Sequence, residues 1–194
     1  AEATAITSLP LADGKNHYFH LRTADNAGNW AASAVNLGPF WIDATPPQSY
    51  ASSPSLIKGS FLVSWQGSDT ASGLVDYTIQ VRQNDGLWTV WKDHQTGTSA
   101  TYSGTEGNTY HFRSIAHDLV GHTETDYTQQ GDTSTVVARY LLSGNVYDHR
   151  GRPVPGAVAI AQPAGLNQAA AGIGGHYTLG LLDSGVYAVS AGHT

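Results

Sequence analysis

A stretch near the start of the chain returns 93 residues later, and this repeat constrains the fold more than any other feature. The sequence HLRTADNAGN at 20–29 is echoed by RSIAHDLVGH at 113–122. The same offset pairs five identical residues: Gly14 with Gly107, Phe19 with Phe112, Asp25 with Asp118, Gly28 with Gly121, and Gly38 with Gly131. A period of about 90 residues is too long for a solenoid repeat and suits whole β-sandwich domains. We therefore predict consecutive copies of one module.

Side-chain alternation within the later copy predicts a β-strand. Every second residue from Tyr110 to Ala116 falls on one face, and every second residue from His111 to His117 falls on the other. We expect the first face, which carries the aromatic residues, to lie against a core. In the earlier copy, the corresponding core face is every second residue across 17–23.

Both copies of this strand end in Asp-x-x-Gly, at Asp25 to Gly28 and at Asp118 to Gly121. A type I turn favours Asp at its first position, because the carboxylate accepts local backbone N–H groups, and Gly at its fourth. The repeat is therefore predicted to be a strand followed by its turn.

Strand signals continue around the second copy, and no helical period is found. Apolar and β-branched segments separated by turn residues predict strands at 60–65, 76–82, 87–92, 98–102, 109–117 and 133–138. The predicted fold class is all-β, with β-sandwich modules in tandem.

The middle of the chain resembles the fibronectin type III-like and immunoglobulin-like modules of bacterial surface proteins. The resemblance is carried by Trp65, by DTASGLVDYTIQV at 69–81, by DGLWTVW at 85–91, by GNTYHFRSIAHDLVG at 107–121 and by the linker-like DATPP at 43–47. It implies that Trp65 is a core residue and that Tyr110 is a tyrosine corner, whose hydroxyl bonds to upstream backbone. The first copy departs from this pattern, because His17 stands at the position of Tyr110.

From about residue 138 the chain is similar to the carboxypeptidase regulatory-like domain, a small prealbumin-like β-sandwich. The similar features are the turn from Asp148 to Gly151, the PVPGA sequence at 153–157, and Gly-x-Tyr strand starts at Tyr177 and Tyr187. Despite its name, that domain is not the catalytic part of a carboxypeptidase. The family's closing strand has no counterpart before Thr194.

These features predict three modules. Residues 1–45 match the last three strands of a fibronectin type III/Ig-like module, residues 46–137 a complete one, and residues 138–194 a carboxypeptidase regulatory-like module without its last strand. Each incomplete end is either cut within a domain or completed by another copy through strand exchange. We expect a cut, since the chain contains no methionine.

Composition excludes several classes of partner. The net charge is −6 without a basic cluster, which argues against nucleic acid and anionic lipid, because both require positive charge. No apolar run approaches the ~20 residues of a membrane span. Only 12% of residues are charged, a balance typical of secreted bacterial β-proteins. We predict a secreted or cell-surface location.

Sequence motifs of common enzymes are missing. The chain has no Gly-x-Ser-x-Gly, no His-Glu-x-x-His and no phosphate-binding Gly-x-x-x-x-Gly-Lys, and GIGG at 172–175 lacks the rest of a dinucleotide fingerprint. We predict no catalytic residues, no enzymatic activity and no cofactor.

Nine histidines raise the question of a metal site. His111 and His117 share a strand face, but six residues separate them by roughly 20 Å, too far for one zinc ion. A site joining His20 or His122 to a neighbouring strand is the alternative to scattered histidines exposed to solvent.

Calcium held by Asp25 or Asp118 in a crevice between modules is a second alternative. Calcium needs six to eight oxygen ligands, and no cluster of aspartates is seen in the sequence. Turn capping explains both carboxylates without an ion, so no metal site is predicted.

Trp88 and Trp91 are the candidate ligand-binding residues, because exposed aromatic rings hold sugars in many extracellular sandwiches. Residues three apart on a regular strand face opposite sides, so at most one ring is free to bind. Packing is the favoured interpretation for both residues.

The sequence thus predicts a non-catalytic structural, spacer or adhesion segment of a larger secreted or surface-anchored bacterial protein. Its expected partners are neighbouring modules of the same chain, with carbohydrate or another copy as further candidates. The alternatives are the accessory region of a secreted hydrolase and a carbohydrate-binding module.

Overall fold

The chain is all-β, as predicted, in the computed structural model, which describes residues 7–162, 168–181 and 186–192. These residues form fifteen strands joined by turns and loops. Within the same ranges, no helix is long and apolar enough to cross a membrane.

The first two strands form a separate antiparallel hairpin. β1 (Gly14–Leu21) pairs with β2 (Val35–Ile42), and a bulge interrupts their register around His17. The predicted core residues Phe19 and Leu21 are about 40% exposed, because the described part of this sheet has one layer only.

The middle of the chain folds into two sheets that face each other. Its strands are β3 (Gln48–Ser52), β4 (Leu56–Ile57), β5 (Phe61–Ser68), β6 (Leu74–Gln83), β7 (Thr89–Gln95), β8 (Ser99–Tyr102), β9 (Asn108–Asp118) and β10 (Thr133–Val137). One sheet has the order β3-β5-β8 and the other β4-β10-β9-β6-β7. All six predicted strands are present, whereas β3 and β4 were not predicted.

The core between these two sheets is aromatic. Val63 and Trp65 from β5 meet Ile79 from β6 and Phe112 from β9, and all four side chains are buried. The indole N–H of Trp65 donates to the carbonyl of Gly97 at 2.7 Å, which satisfies its one polar atom.

Tyr110 makes the backbone contact expected of it. Its buried hydroxyl accepts a hydrogen bond from the N–H of Thr105 at 2.9 Å. This contact holds the loop that leads into β9.

The last part of the chain forms two smaller sheets. β11 (Tyr140–Asn145) pairs with β14 (His176–Leu181), and β12 (Val158–Gln162) lies between β13 (Gln168–Ala170) and β15 (Ala188–Gly192). Among the described residues of this unit, Leu179 and Ala161 form the buried centre of its core.

Candidate functional site

Two histidines and an aspartate from three neighbouring strands meet at one end of the five-stranded sheet. One carboxylate oxygen of Asp76 lies 2.6 Å from Nδ1 of His117, and the other lies 2.8 Å from Nδ1 of His94. The two imidazole rings stack with their centroids 5.0 Å apart. We call these three residues the His-Asp-His cluster.

Strand order and register irregularities on both sides of β6 bring the cluster together. β6, which carries Asp76, lies between β7, which carries His94, and β9, which carries His117. The register of β6 shifts against β9 just before Asp76 and shifts against β7 just beyond Tyr77. These irregularities re-aim side chains that a regular ladder would place elsewhere.

His94 has an unusual backbone conformation. Its φ angle is 48°, in the left-handed region that a residue with a Cβ rarely adopts. Such a conformation costs about 1–3 kcal/mol and is found where surrounding structure enforces it. Here it accompanies the contact between the imidazole and Asp76.

The cluster carries concentrated charge. Burial tends to raise the pKa of Asp76, but hydrogen bonds from His94 and His117 outweigh it and hold that pKa below its ordinary value. The hydrogen bond to Asp76, together with the charges of Asp76 and Asp93, raises the pKa of His94. Asp93 itself accepts a hydrogen bond from the hydroxyl of Thr78 at 2.8 Å.

This cluster was not predicted from the sequence. The two histidines considered as a pair, His111 and His117, lie far apart along β9, and neither His94 nor Asp76 was predicted to be a ligand. The one indication of this cluster in the sequence was the prediction of strands at 76–82, 87–92 and 109–117. The register irregularities near Asp76 and His94 cannot be read from the alternation of apolar and polar residues alone.

A second group of titratable residues lies where the first hairpin meets the middle sandwich. The carboxylate of Asp118 accepts the Nδ1 hydrogen of His122 at 2.7 Å, and Asp43 lies 4.0 Å from the same nitrogen. His122 was a sequence candidate for a site with a neighbouring strand, and its partners here are these two aspartates.

An apolar cleft of about 340 Å³ adjoins this second group. It is lined by Trp41 and Ile42 from β2 and by Leu119 and Val120 from the turn after β9. The ammonium group of Lys15 lies 4.7 Å from the centre of the Trp41 ring. The two parts of the chain therefore share a cleft.

The two aspartates considered for calcium occupy different environments. Asp25 is exposed, and its carboxylate accepts hydrogen bonds from the backbone of Ala27 and Asn29 and from the side chain of Asn29. Those bonds to Asn29 hold the pKa of Asp25 below its ordinary value. Asp118 is buried and adjoins Asp43, so the structure does not bring Asp25 and Asp118 into one site.

Trp91 packs inward at the core of the middle sandwich. Its ring makes edge contacts with those of Trp65, Tyr102 and Phe112 at centroid distances of 5.1–6.3 Å. Trp91 is therefore partly buried, with its ring packed against the core.

Trp88 lies on the other side of the sheet, just before β7. The guanidinium groups of Arg113 and Arg82 lie 4.4 Å and 5.0 Å from the centre of its ring. Its indole N–H donates to the carbonyl of Gln129 at 3.2 Å. The ring is half-buried, and Arg113 lies equally close to the ring of Tyr127.

Comparisons with protein families, with curated proteins and with solved structures found no match to this chain. The two resemblances noted above therefore rest on the quoted sequence motifs and stay predictions.

Proposed function

We propose that the chain is a non-catalytic structural segment that spaces or displays other parts of a longer secreted or surface-anchored protein. The observation that carries this proposal is that neighbouring β-units are joined by direct contacts at both junctions. A spacer that transmits position needs such contacts, because a free linker would let each unit reorient independently.

The first junction is a short segment fixed by side-chain hydrogen bonds. Residues 43–47 connect β2 to β3, and Pro47 is fully buried. The carboxylate of Asp43 accepts the backbone N–H of Ser72 at 2.9 Å, across the boundary between hairpin and sandwich. Hydrogen bonding by Ser72 outweighs burial and holds the pKa of Asp43 below its ordinary value, which keeps the acceptor charged.

Asp13 fixes the same segment from the hairpin side. Its two carboxylate oxygens accept the N–H of Ala44 at 2.7 Å and the hydroxyl of Thr45 at 2.8 Å. The connection is therefore bonded to both units that it joins.

The second junction is shorter still. Only residues 138 and 139 separate β10 from β11, and Ala138 is buried, with its N–H donated to the carbonyl of Ile57 at 2.9 Å. Gly180 of β14 packs so closely on Leu56 that an added Cβ would collide with the leucine side chain. The third unit therefore rests on the edge of the middle one.

The proposal assigns no reaction to the chain. Its support is the missing catalytic motifs in the sequence and the structural use of the described carboxylates at Asp25, Asp118 and Asp148, each of which closes a turn. A screen of the purified protein with peptidase, esterase and glycosidase substrates should show no turnover. Activity that is lost on substitution of a single Ser, His, Asp or Glu would overturn this part.

Backbone ¹⁵N relaxation tests the spacing role. We expect the hairpin, the middle sandwich and the last unit to share one rotational correlation time, because contacts at both junctions couple their tumbling. Three separate correlation times, each near the value of an isolated unit, would contradict the proposal.

A further inference from the structure

We propose that Asp76, His94 and His117 form a binding site for a divalent transition-metal ion that prefers imidazole, of the class of Zn²⁺. This inference is independent of the proposed spacing role. It rests on the side-chain positions in the His-Asp-His cluster.

The donor atoms have the right chemistry and spacing. Two imidazole nitrogens and a carboxylate oxygen lie within 4.8 Å of one another. Zinc holds such ligands about 2 Å away in a tetrahedron, so two donors on one ion are about 3.3 Å apart. The donors therefore have to move closer together around an ion, and His94 is the most exposed of the three side chains, at 64%.

The donor set selects among cations. Calcium and magnesium prefer six or more oxygen ligands, whereas imidazole together with carboxylate suits zinc, copper, nickel and cobalt. Three protein ligands beside an exposed imidazole leave room for a water molecule or an external ligand in the fourth position.

Neighbouring groups favour a cation. Asp76 contributes one negative charge, and Asp93 acts on His94 with a second. Without an ion, Nδ1 of each histidine makes a hydrogen bond with the Asp76 carboxylate. A bound ion would displace the protons of these two hydrogen bonds and take their place between the same atoms. The half-buried positions of Asp76 and His117 limit competition from water.

The site would join three strands at the edge of the five-stranded sheet, where one strand has a neighbour on one side only. β7 is the edge strand of the five-stranded sheet, and His94 lies near its end. An ion shared with β6 and β9 would fasten this edge to the centre of the sheet. The left-handed backbone of His94 places its imidazole beside the other two ligands.

Calorimetric titration of the metal-free full chain with ZnCl₂ tests the proposal, with CaCl₂ as a comparison. We expect one zinc ion per chain and a zinc-dependent rise in the thermal midpoint that a chelator reverses. Co²⁺ in place of zinc should give the visible absorption of a bound ion with nitrogen ligands. Lack of saturable zinc binding, or calcium binding of equal strength, would overturn the proposal.

Matched variants separate this site from scattered histidines. His94→Gln and His117→Gln should each weaken zinc binding by more than about tenfold. Removal of a residue that only supports a metal ligand already costs about tenfold or more in affinity, so loss of a ligand itself should cost at least as much. His111→Gln on the same strand should leave binding unchanged. His94→Gln carries little risk of misfolding because the His94 side chain is exposed. If this variant binds zinc as tightly as the parent, the proposed site is refuted.

Discussion

Asp118 repeats the hydrogen bonds of Asp25, 93 residues earlier in the chain. The carboxylate of Asp25 accepts the backbone N–H groups of residues two and four positions later, and the carboxylate of Asp118 does the same. Gly28 and Gly121 each follow three residues after the aspartate with φ near +90°. The sequence repeat therefore corresponds to one turn built twice from a capping carboxylate and a glycine that can adopt positive φ.

We expect Asp118→Ala to destabilise the middle sandwich by about 1–3 kcal/mol, because it removes a buried carboxylate that accepts hydrogen bonds from Val120 and His122. Asp25→Ala removes the same bonds from an exposed turn, where water replaces them, and should cost less. Native-state hydrogen exchange of the β9 amides measures the effect. Equal losses in the two variants would show that burial of Asp118 is unimportant.

Trp65→Ala should cost about 3–5 kcal/mol and unfold a large fraction of the middle sandwich, because a 3% exposed ring is lost from its centre. Trp30→Ala, at an exposed tryptophan of the first hairpin, is the control and should have little effect. Urea unfolding followed by circular dichroism compares the two. A Trp65→Ala midpoint within error of the parent would refute the packing described here.

The two tryptophans near β7 should respond differently to substitution. Trp91→Ala removes a ring that contacts three other aromatic side chains and should destabilise the core by ~3–5 kcal/mol. Trp88→Ala removes two contacts with guanidinium groups, each worth about 0.5–2 kcal/mol. Thermal unfolding tests the ranking, and the reverse order would contradict it.

A glycan array run on the same proteins tests carbohydrate binding. If a glycan binds, we expect the binding to depend on Trp88, since Trp91 is packed in the core. Binding that survives Trp88→Ala would remove this residue as a candidate.

His111 should make the middle sandwich less stable in mild acid. Burial, reinforced by the positive charge of Arg82 and opposed by the negative charge of Asp85, lowers the pKa of His111 below 6.5. The unfolded chain therefore binds the proton first, so stability is full above a pH of about 6.5 and falls as the pH drops toward the folded pKa. The thermal midpoint should fall less between about pH 7.5 and about pH 5 in His111→Gln than in the parent. An unchanged pH dependence would show that His111 does not contribute.

Local signals in the sequence predicted much of the fold. Strong alternation located the strand of Phe112, and the Asp-x-x-Gly pattern located the turn at Asp118. β3 was missed because its sequence, QSYAS, has little apolar character. The strand is fixed instead by long-range contacts, in which the N–H of Ser49 donates to Glu124 and the N–H of Ala51 donates to Asp132.

The candidate site was harder to predict for the same physical reason. Asp76 contacts His94, which is 18 residues away in the sequence, and His117, which is 41 residues away. Their meeting depends on cross-strand register and on one residue with a left-handed backbone. Neither property can be read from a single sequence. The distance between two histidines of one strand can, because it follows from the number of residues between them.

The central claim is that contacts at the junctions hold neighbouring units in a fixed arrangement. The distance between the first hairpin and the middle sandwich tests this claim most directly. The chain has no cysteine, so Ser33→Cys and Asp85→Cys introduce two unique spin-label sites on exposed residues of the hairpin and the sandwich. Asp43→Ala in this labelled protein removes the hydrogen bond to Ser72, and Asp25→Ala is the matched control away from the junction. Pulsed electron double resonance should give one narrow distance distribution in the parent and in the control, and a broad one in Asp43→Ala. A broad distribution in the parent would contradict the account.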